Sequence, residues 1–128
     1  MHKAINKTLF AASFLAASAA FGAAQAQDVA VITPYLAQPG TQFYVEAFEG
    51  VAKDKGWTVN VIDTQGDVAA VISRIEDVVN QGVDAIVINV DPTQVAAGLE
   101  TAKAANIPVV GMDAGSDPLL ATNVTSDG

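Results

Sequence analysis

Carboxylates, amides, hydroxyls and aromatic rings recur in this 128-residue chain where apolar runs end. Thr33 closes an apolar run over residues 29–33 and is followed by Pro34 and Tyr35. Phe43 and Tyr44 follow one short loop later. Asp63, Thr64 and Gln65 come after Val59, Val61 and Ile62. Asn89 lies at the end of the run 85–90, ahead of Asp91, and Asp113 follows the run 109–112, ahead of Ala114, Gly115 and Ser116. No lysine or arginine is among these groups. A carboxylate can accept two hydroxyl hydrogen bonds, and an aromatic face can lie against the C–H face of a sugar ring. The set suits a neutral polyhydroxy ligand. It suits a phosphorylated or carboxylate ligand poorly, because the rim is acidic.

Each residue also has a plainer reading. Tyr44 falls on the inward stripe of a helix, which leaves Phe43 better placed for the mouth of a cleft. Asp91 is most simply a helix N-cap. Asp63 reads equally well as an acceptor for loop amides. Asn89 can pin loop backbone, and Trp57 at a helix–strand junction reads as packing. Asp113 is the strongest candidate for a ligand contact, because it ends a buried strand, precedes small residues and has no evident helix to cap.

Several catalytic chemistries are excluded by inventory. The only histidine is His2 and cysteine is absent. A Ser–His–Asp triad, a thiolate nucleophile and the common zinc sites therefore lack their parts. No glycine-rich phosphate loop follows the first apolar run. The acids and lysine of a phospho-receiver domain are not in place either. Asp63, Asp91 and Asp113 come from separate strand ends, so their pairing for acid–base work does not follow from spacing. No enzyme activity, cofactor or metal is expected.

The elements that must position these groups alternate regularly. Residues 29–33, 58–63, 85–90, 109–112 and 119–124 read as strands. Between them run three helical patterns. The first is capped by Thr41, has its apolar positions at Tyr44, Ala47, Phe48, Val51 and Ala52, carries Lys53 and Lys55 in its last turn, and is closed by Gly56. The second is capped by Asp67, with Val68, Val71, Ile72, Ile75, Val78 and Val79 inward, and Gly82 ends it. The third starts at Asp91-Pro92-Thr93, with Val95, Ala96, Leu99 and Ala102 inward, and stops at Asn106-Ile107-Pro108. Strands apolar on both faces, alternating with helices, imply a three-layer, doubly wound parallel α/β sheet. With right-handed crossovers we expect the flavodoxin-like strand order 2-1-3-4-5. Ligands in such sheets sit beyond the carboxyl ends of the strands, where the strand order reverses.

The first 26 residues read as a separate unit. Lys3 and Lys7 form a basic end, residues 9–24 an apolar small-residue run, and Ala24-Gln25-Ala26 a signal-peptidase pattern. This is the pattern of a secretory signal peptide, with cleavage expected after Ala26. The apolar run is shorter than the roughly 20 residues that a membrane-spanning helix needs. The two lysines leave with the leader and no acid does, so the net charge moves from −8 to −10. A chain this acidic is not expected to seek nucleic acid or an anionic membrane surface. The remaining residues, 27–128, form one α/β domain.

Taken in order, the strand VAVIT, the segment FYVEAFEG, GWTVNVIDTQGD, QGVDAIVINVDP, ANIPVVGMDAG and the final TSDG resemble the periplasmic sugar-binding proteins of ABC transporters, the ribose-binding-like group with the type I periplasmic binding fold. The resemblance runs from Val29 to the end. It implies two similar α/β lobes that clamp a sugar or polyol and deliver it to an inner-membrane ABC permease, without catalysis and with no direct membrane insertion after cleavage. It matches Phe43 and Tyr44 to an aromatic pair at the start of the first helix, Asp113 to an acid after the fourth strand, and Thr33 to a polar residue ending the first. Ribose-type members carry arginine after that acid, where this chain has Ala114, which counts against ribose itself. On this reading the chain to Gly128 is the N-terminal lobe, incomplete, from a longer protein or a truncated reading frame. The alternatives are a small stand-alone α/β sensor or enzyme domain, or a non-functional remnant.

Overall fold

The computed structural model describes residues 25–126. Most of the expected leader, residues 1–24, and the last two residues of the TSDG segment lie outside the described residues. The chain alternates strand and helix: β1 (Asp28–Thr33), α1 (Pro39–Asp54), β2 (Thr58–Asp63), α2 (Val68–Gln81), β3 (Ala85–Ile88), a 3-10 turn (Pro92–Val95), α3 (Ala96–Ala104), β4 (Val109–Met112) and β5 (Thr122–Val124). All neighbouring strands are parallel, in the order β2-β1-β3-β4-β5. This is the expected order. Strand β1 lies between β2 and β3, in register Val31 to Val61 and Val31 to Val87.

The two faces of the sheet separate the core. Ala30, Ile32, Ile86, Ile88 and Val109 pack with Val71, Ile75 and Val78 of α2 and Leu99 and Ala102 of α3. Val29, Val31, Val87 and Met112 point the other way, toward Val45 of α1, with Tyr44 and Phe48 partly buried against them. Helices on both faces explain why the strands read as continuous apolar runs.

All three helices end in one way. The amides of Gly56, Gly82 and Asn106 bond to Lys53, Val79 and Lys103, and those of Trp57, Val83 and Ile107 bond to Ala52, Val78 and Ala102. Gly56, Gly82 and Asn106 take φ of 73°, 76° and 57°. This is the Schellman arrangement, with an apolar residue after each left-handed one.

Two helices and one strand differ from expectation. First, α1 starts at Pro39 after Gln38, which makes no side-chain cap bond, and Thr41 is buried inside the first turn rather than capping it. Its buried residues are Thr41, Val45 and Ala52, whereas Ala47 and Val51 are exposed. At about 100° per residue, the apolar positions of α1 cover a wider arc than one contact with the sheet can bury. Second, the segment after Asp91 winds as a 3-10 turn before α3 begins. The tighter winding shifts the helix phase and turns Ala96 to solvent. Gly98 is buried in its place, because a Cβ there would stand 3.0 Å from Ile75 Cδ1 on α2. Third, β5 is shorter than the 119–124 run. Asp117 folds Leu119 and Leu120 into a turn by accepting the Leu119 amide at 2.8 Å, and both leucines pack against the core.

Candidate functional site

At the carboxyl ends of β1, β3 and β4 the loops leave a cleft of about 240 Å³, lined by Tyr35, Gln38, Gly40, Thr41, Tyr44, Asn89, Met112 and Asp113. It lies where strand order reverses between β1 and β3, the position at which open parallel sheets bind ligands. Other hollows exist. One of about 320 Å³ runs between α3 and the β4–β5 connection, near Lys103 and Ala121. One of about 450 Å³ adjoins the cleft across the Tyr35–Gln38 loop and includes Asp63 and Gln65. Of these three hollows among the described residues, the cleft alone brings together two amides, a carboxylate, an aliphatic hydroxyl and two phenols around one space.

Asn89 is the focus of the cleft. It follows β3, and its Nδ2 donates to Thr41 Oγ1 at 3.1 Å, across 48 residues of sequence. Its Oδ1 is buried and has no hydrogen-bond partner. An unsatisfied buried acceptor costs on the order of 1–3 kcal/mol and calls for an explanation. Because Thr41 Oγ1 accepts from Asn89, its own hydrogen is left to donate. The pair thus presents one acceptor and one donor.

Asp113 sits on the rim just past Met112. Its backbone takes φ of 53°, a left-handed conformation that aspartate tolerates better than most side chains. Its amide donates to the Val124 carbonyl at 2.7 Å. No lysine or arginine lines the cleft. The site is therefore one of acceptors, hydroxyls and aromatic surface, with one formal negative charge.

The expected residues divide between the lining and its surroundings. Tyr44, Asn89 and Asp113 line the cleft together. Thr33 is fully buried, and its hydroxyl oxygen accepts the Tyr35 amide at 2.9 Å. It stands behind the loop that carries Tyr35. Phe43 is 70% exposed, outside the lining, with its ring edge-on to Tyr44 at 6.1 Å between centroids. Asp63 bonds the Gln65 amide at 2.8 Å, in keeping with its plainer reading. Asp91 accepts the Thr93 amide and hydroxyl at 2.9 and 2.7 Å, so it caps the 3-10 turn. These two bonds, the hydroxyl first, hold its carboxyl below the usual aspartate range. Trp57 packs against the α1 side of the core, with Lys55 Nζ 5.7 Å from its ring centre.

Gln38 and Thr41 were not picked out by the sequence as site residues, and Tyr35 entered only as one of the residues that follow the first strand. Thr41 carried a usable signal, since it precedes Tyr44 by three residues and so shares its helix face. Gln38 and Tyr35 lie in a loop whose path depends on tertiary contacts.

With this geometry in hand, known proteins provide the comparison. A family model described as periplasmic binding protein domain matches residues 29–127. The ribose import binding protein of Bacillus subtilis (strain 168) is 36% identical over 90 residues, which is 66% of this chain and 30% of the relative. An ABC transporter solute-binding protein from Mycobacterium smegmatis, solved with bound glycerol, superposes with a TM-score of 0.72 at 26% identity, over 78% of this chain and 35% of its own. The binding-protein component of the arabinose ABC transporter from Shewanella sp. ANA-3, bound to L-arabinofuranose, gives a TM-score of 0.67 at 29% identity, over 79% and 35%. The chain thus spans about a third of the length of these relatives. The family match runs over residues 29–127, nearly all of the described sheet and helices, and the chain belongs to the periplasmic binding protein domain family.

Proposed function

We propose that this chain is the N-terminal lobe of the substrate-binding component of an ABC-type import system for a sugar or polyol, acting without catalysis. The observation that carries the reading is a cleft lined by Thr41, Tyr44, Asn89 and Asp113 with no cation, in which Asn89 keeps a buried Oδ1 without a hydrogen-bond partner. A neutral polyol supplies what the cleft lacks. One hydroxyl donates to Asn89 Oδ1, another accepts from Thr41, and a pair donates to the Asp113 carboxylate. Tyr44 offers its ring to the C–H face, Phe43 extends that surface at the mouth, and Thr33 fixes the backbone of the Tyr35 loop. The relatives described above, from ribose, arabinose and other solute import systems, support the ligand class.

A cleft of about 240 Å³ is smaller than the roughly 300–1,000 Å³ of complete small-molecule sites. That size supports a clamp in which a second lobe closes the other side and the closed form docks on an inner-membrane permease. Residues 1–26 act as a leader, removed after Ala26, and the lobe from residue 27 works in the periplasm. Calorimetry on residues 27–128 checks the ligand class. Neutral pentoses, hexoses and polyols should bind at millimolar strength, and their phosphates should give no heat. Preference for the phosphorylated sugars would sink the reading.

A further inference from the structure

We infer that Asn123, together with Gly111, is a positioning residue for the Asp113 rim of the cleft; the inference rests on the ligand reading above. Asn123 lies on β5, paired in register with Gly111 on β4. Its side chain crosses the place where a Cβ at Gly111 would stand, since such a Cβ would collide with Asn123 Oδ1. The same Cβ would meet Leu120 Cδ1 at 3.0 Å and Ala114 Cβ at 3.1 Å. The strand is therefore a glycine at this point because an amide must pass over it.

What the amide reaches is the turn that carries Asp113. Asn123 Oδ1 accepts the Ala114 amide at 3.0 Å, and the neighbouring Val124 carbonyl accepts the Asp113 amide at 2.7 Å. Two successive amides of the rim are thus held by two successive residues of β5. Between them Asp113 keeps its left-handed φ of 53°, a conformation that a non-glycine residue holds only when its surroundings fix it. The backbone bond orients the strand end. Among the described residues, the Asn123 side chain is the tether of this turn that depends on residue type.

The device is a matter of reach and of space. A carboxylate on a free loop samples many directions, and a ligand must order it on binding. Here that ordering is built into β5 before ligand arrives. Asn123 is not among the residues that line the cleft and acts through the Ala114 amide.

The test uses residues 27–128 with three substitutions. Asn123→Ala removes the acceptor, Asn123→Asp keeps it, and Gly111→Ala evicts it sterically. Two readouts are taken: hydrogen exchange at the Ala114 amide, and the affinity for the best-binding neutral sugar by amide-shift titration. In Asn123→Ala and Gly111→Ala, Ala114 exchange should quicken and affinity should fall about fivefold, the loss of one ordinary hydrogen bond. Amide shifts of Ile32, Ile75 and Leu99 should stay in place, which separates local loosening from unfolding. Asn123→Asp should restore both readouts to within about twofold. Unchanged affinity in Asn123→Ala, with the wild type binding at Asp113, overturns the inference and leaves the ligand reading standing. Equal loss in Asn123→Ala and Asn123→Asp also overturns it, because the acceptor would not be the cause. A wild type in which no sugar shifts Asp113 removes the ligand reading and this inference with it.

Discussion

The two faces of the sheet are built to different standards. On the α2–α3 face, twelve buried residues close a continuous core, and Ile32, Ile75, Ile86, Ile88 and Leu99 lose essentially all contact with solvent. On the α1 face the buried apolar cluster is smaller, five residues drawn from β1, α1, β3 and β4. Beyond it an apolar trough lined by Tyr44, Phe48, Val87, Val110, Gly111, Met112 and Val124 lies open. Val124 is 59% exposed, and Val51 on the same side is 55% exposed. The first face holds the sheet together. The second carries the cleft at its end, since Met112 and Tyr44 belong both to the trough and to the cleft. The main core and the cleft therefore lie on opposite sides of one sheet, and substitutions should separate their effects.

The sharpest way to break this contrast is to truncate the closed face. Leu99→Ala should cost about 3 kcal/mol in urea unfolding, as for a fully buried leucine. A cost below about 1 kcal/mol would show that this face is not the main source of stability. Overfilling the same face comes next. Gly98→Val places methyl groups against Ile75, already 3.0 Å from a bare Cβ, and should cost about 2 kcal/mol. Asp67→Ala, which removes the acceptor for the Ala70 amide at the start of α2, should cost about 1 kcal/mol. On the open face, Val124→Ser should change stability by less than about 0.5 kcal/mol. It should still reduce concentration-dependent association in light scattering, because it breaks up an exposed apolar trough.

The smallest effect is a pH dependence on the closed side. The Asp91 carboxyl is held below the ordinary aspartate value of 3.8 by the Thr93 hydroxyl and amide. Its folded-state pKa is thus lower than its unfolded one. The stabilisation is complete above the unfolded value and is lost as pH falls through the folded one. The gap in Tm between the wild type and Asp91→Asn should be widest near neutrality and should close below about pH 3.8. A gap that widens in acid would reverse the sign.

Much of the closed face was legible because its signals are local. Asp67, Gly82 and the stripe Val71, Ile75, Val78 fix α2 within its fourteen residues and the cap on either side. The order 2-1-3-4-5 followed from alternating elements and crossover handedness. The open face was harder to read. The apolar arc of α1 is wider than its contact, so Ala47 and Val51 read as inward although they meet solvent. The site was legible where it sits at strand ends, as with Asn89 and Asp113. It was not legible where it depends on pairing across the fold. The Thr41–Asn89 bond spans 48 residues, and the Asn123–Ala114 bond needs β5 beside β4. Neither pairing leaves a mark in local spacing.

The central claim is that a neutral sugar or polyol enters the cleft through Asn89 and Asp113. Amide-shift mapping on nitrogen-15-labelled residues 27–128, titrated with neutral sugars, tests it most directly. Ligand contact at the cleft predicts saturable shifts at the Asn89 side-chain amide, Thr41, Asp113 and Ala114, lost in Asp113→Ala. Shifts confined to the Lys103–Ala121 hollow, or shifts at Asn89 that persist unchanged in Asp113→Ala, would contradict it.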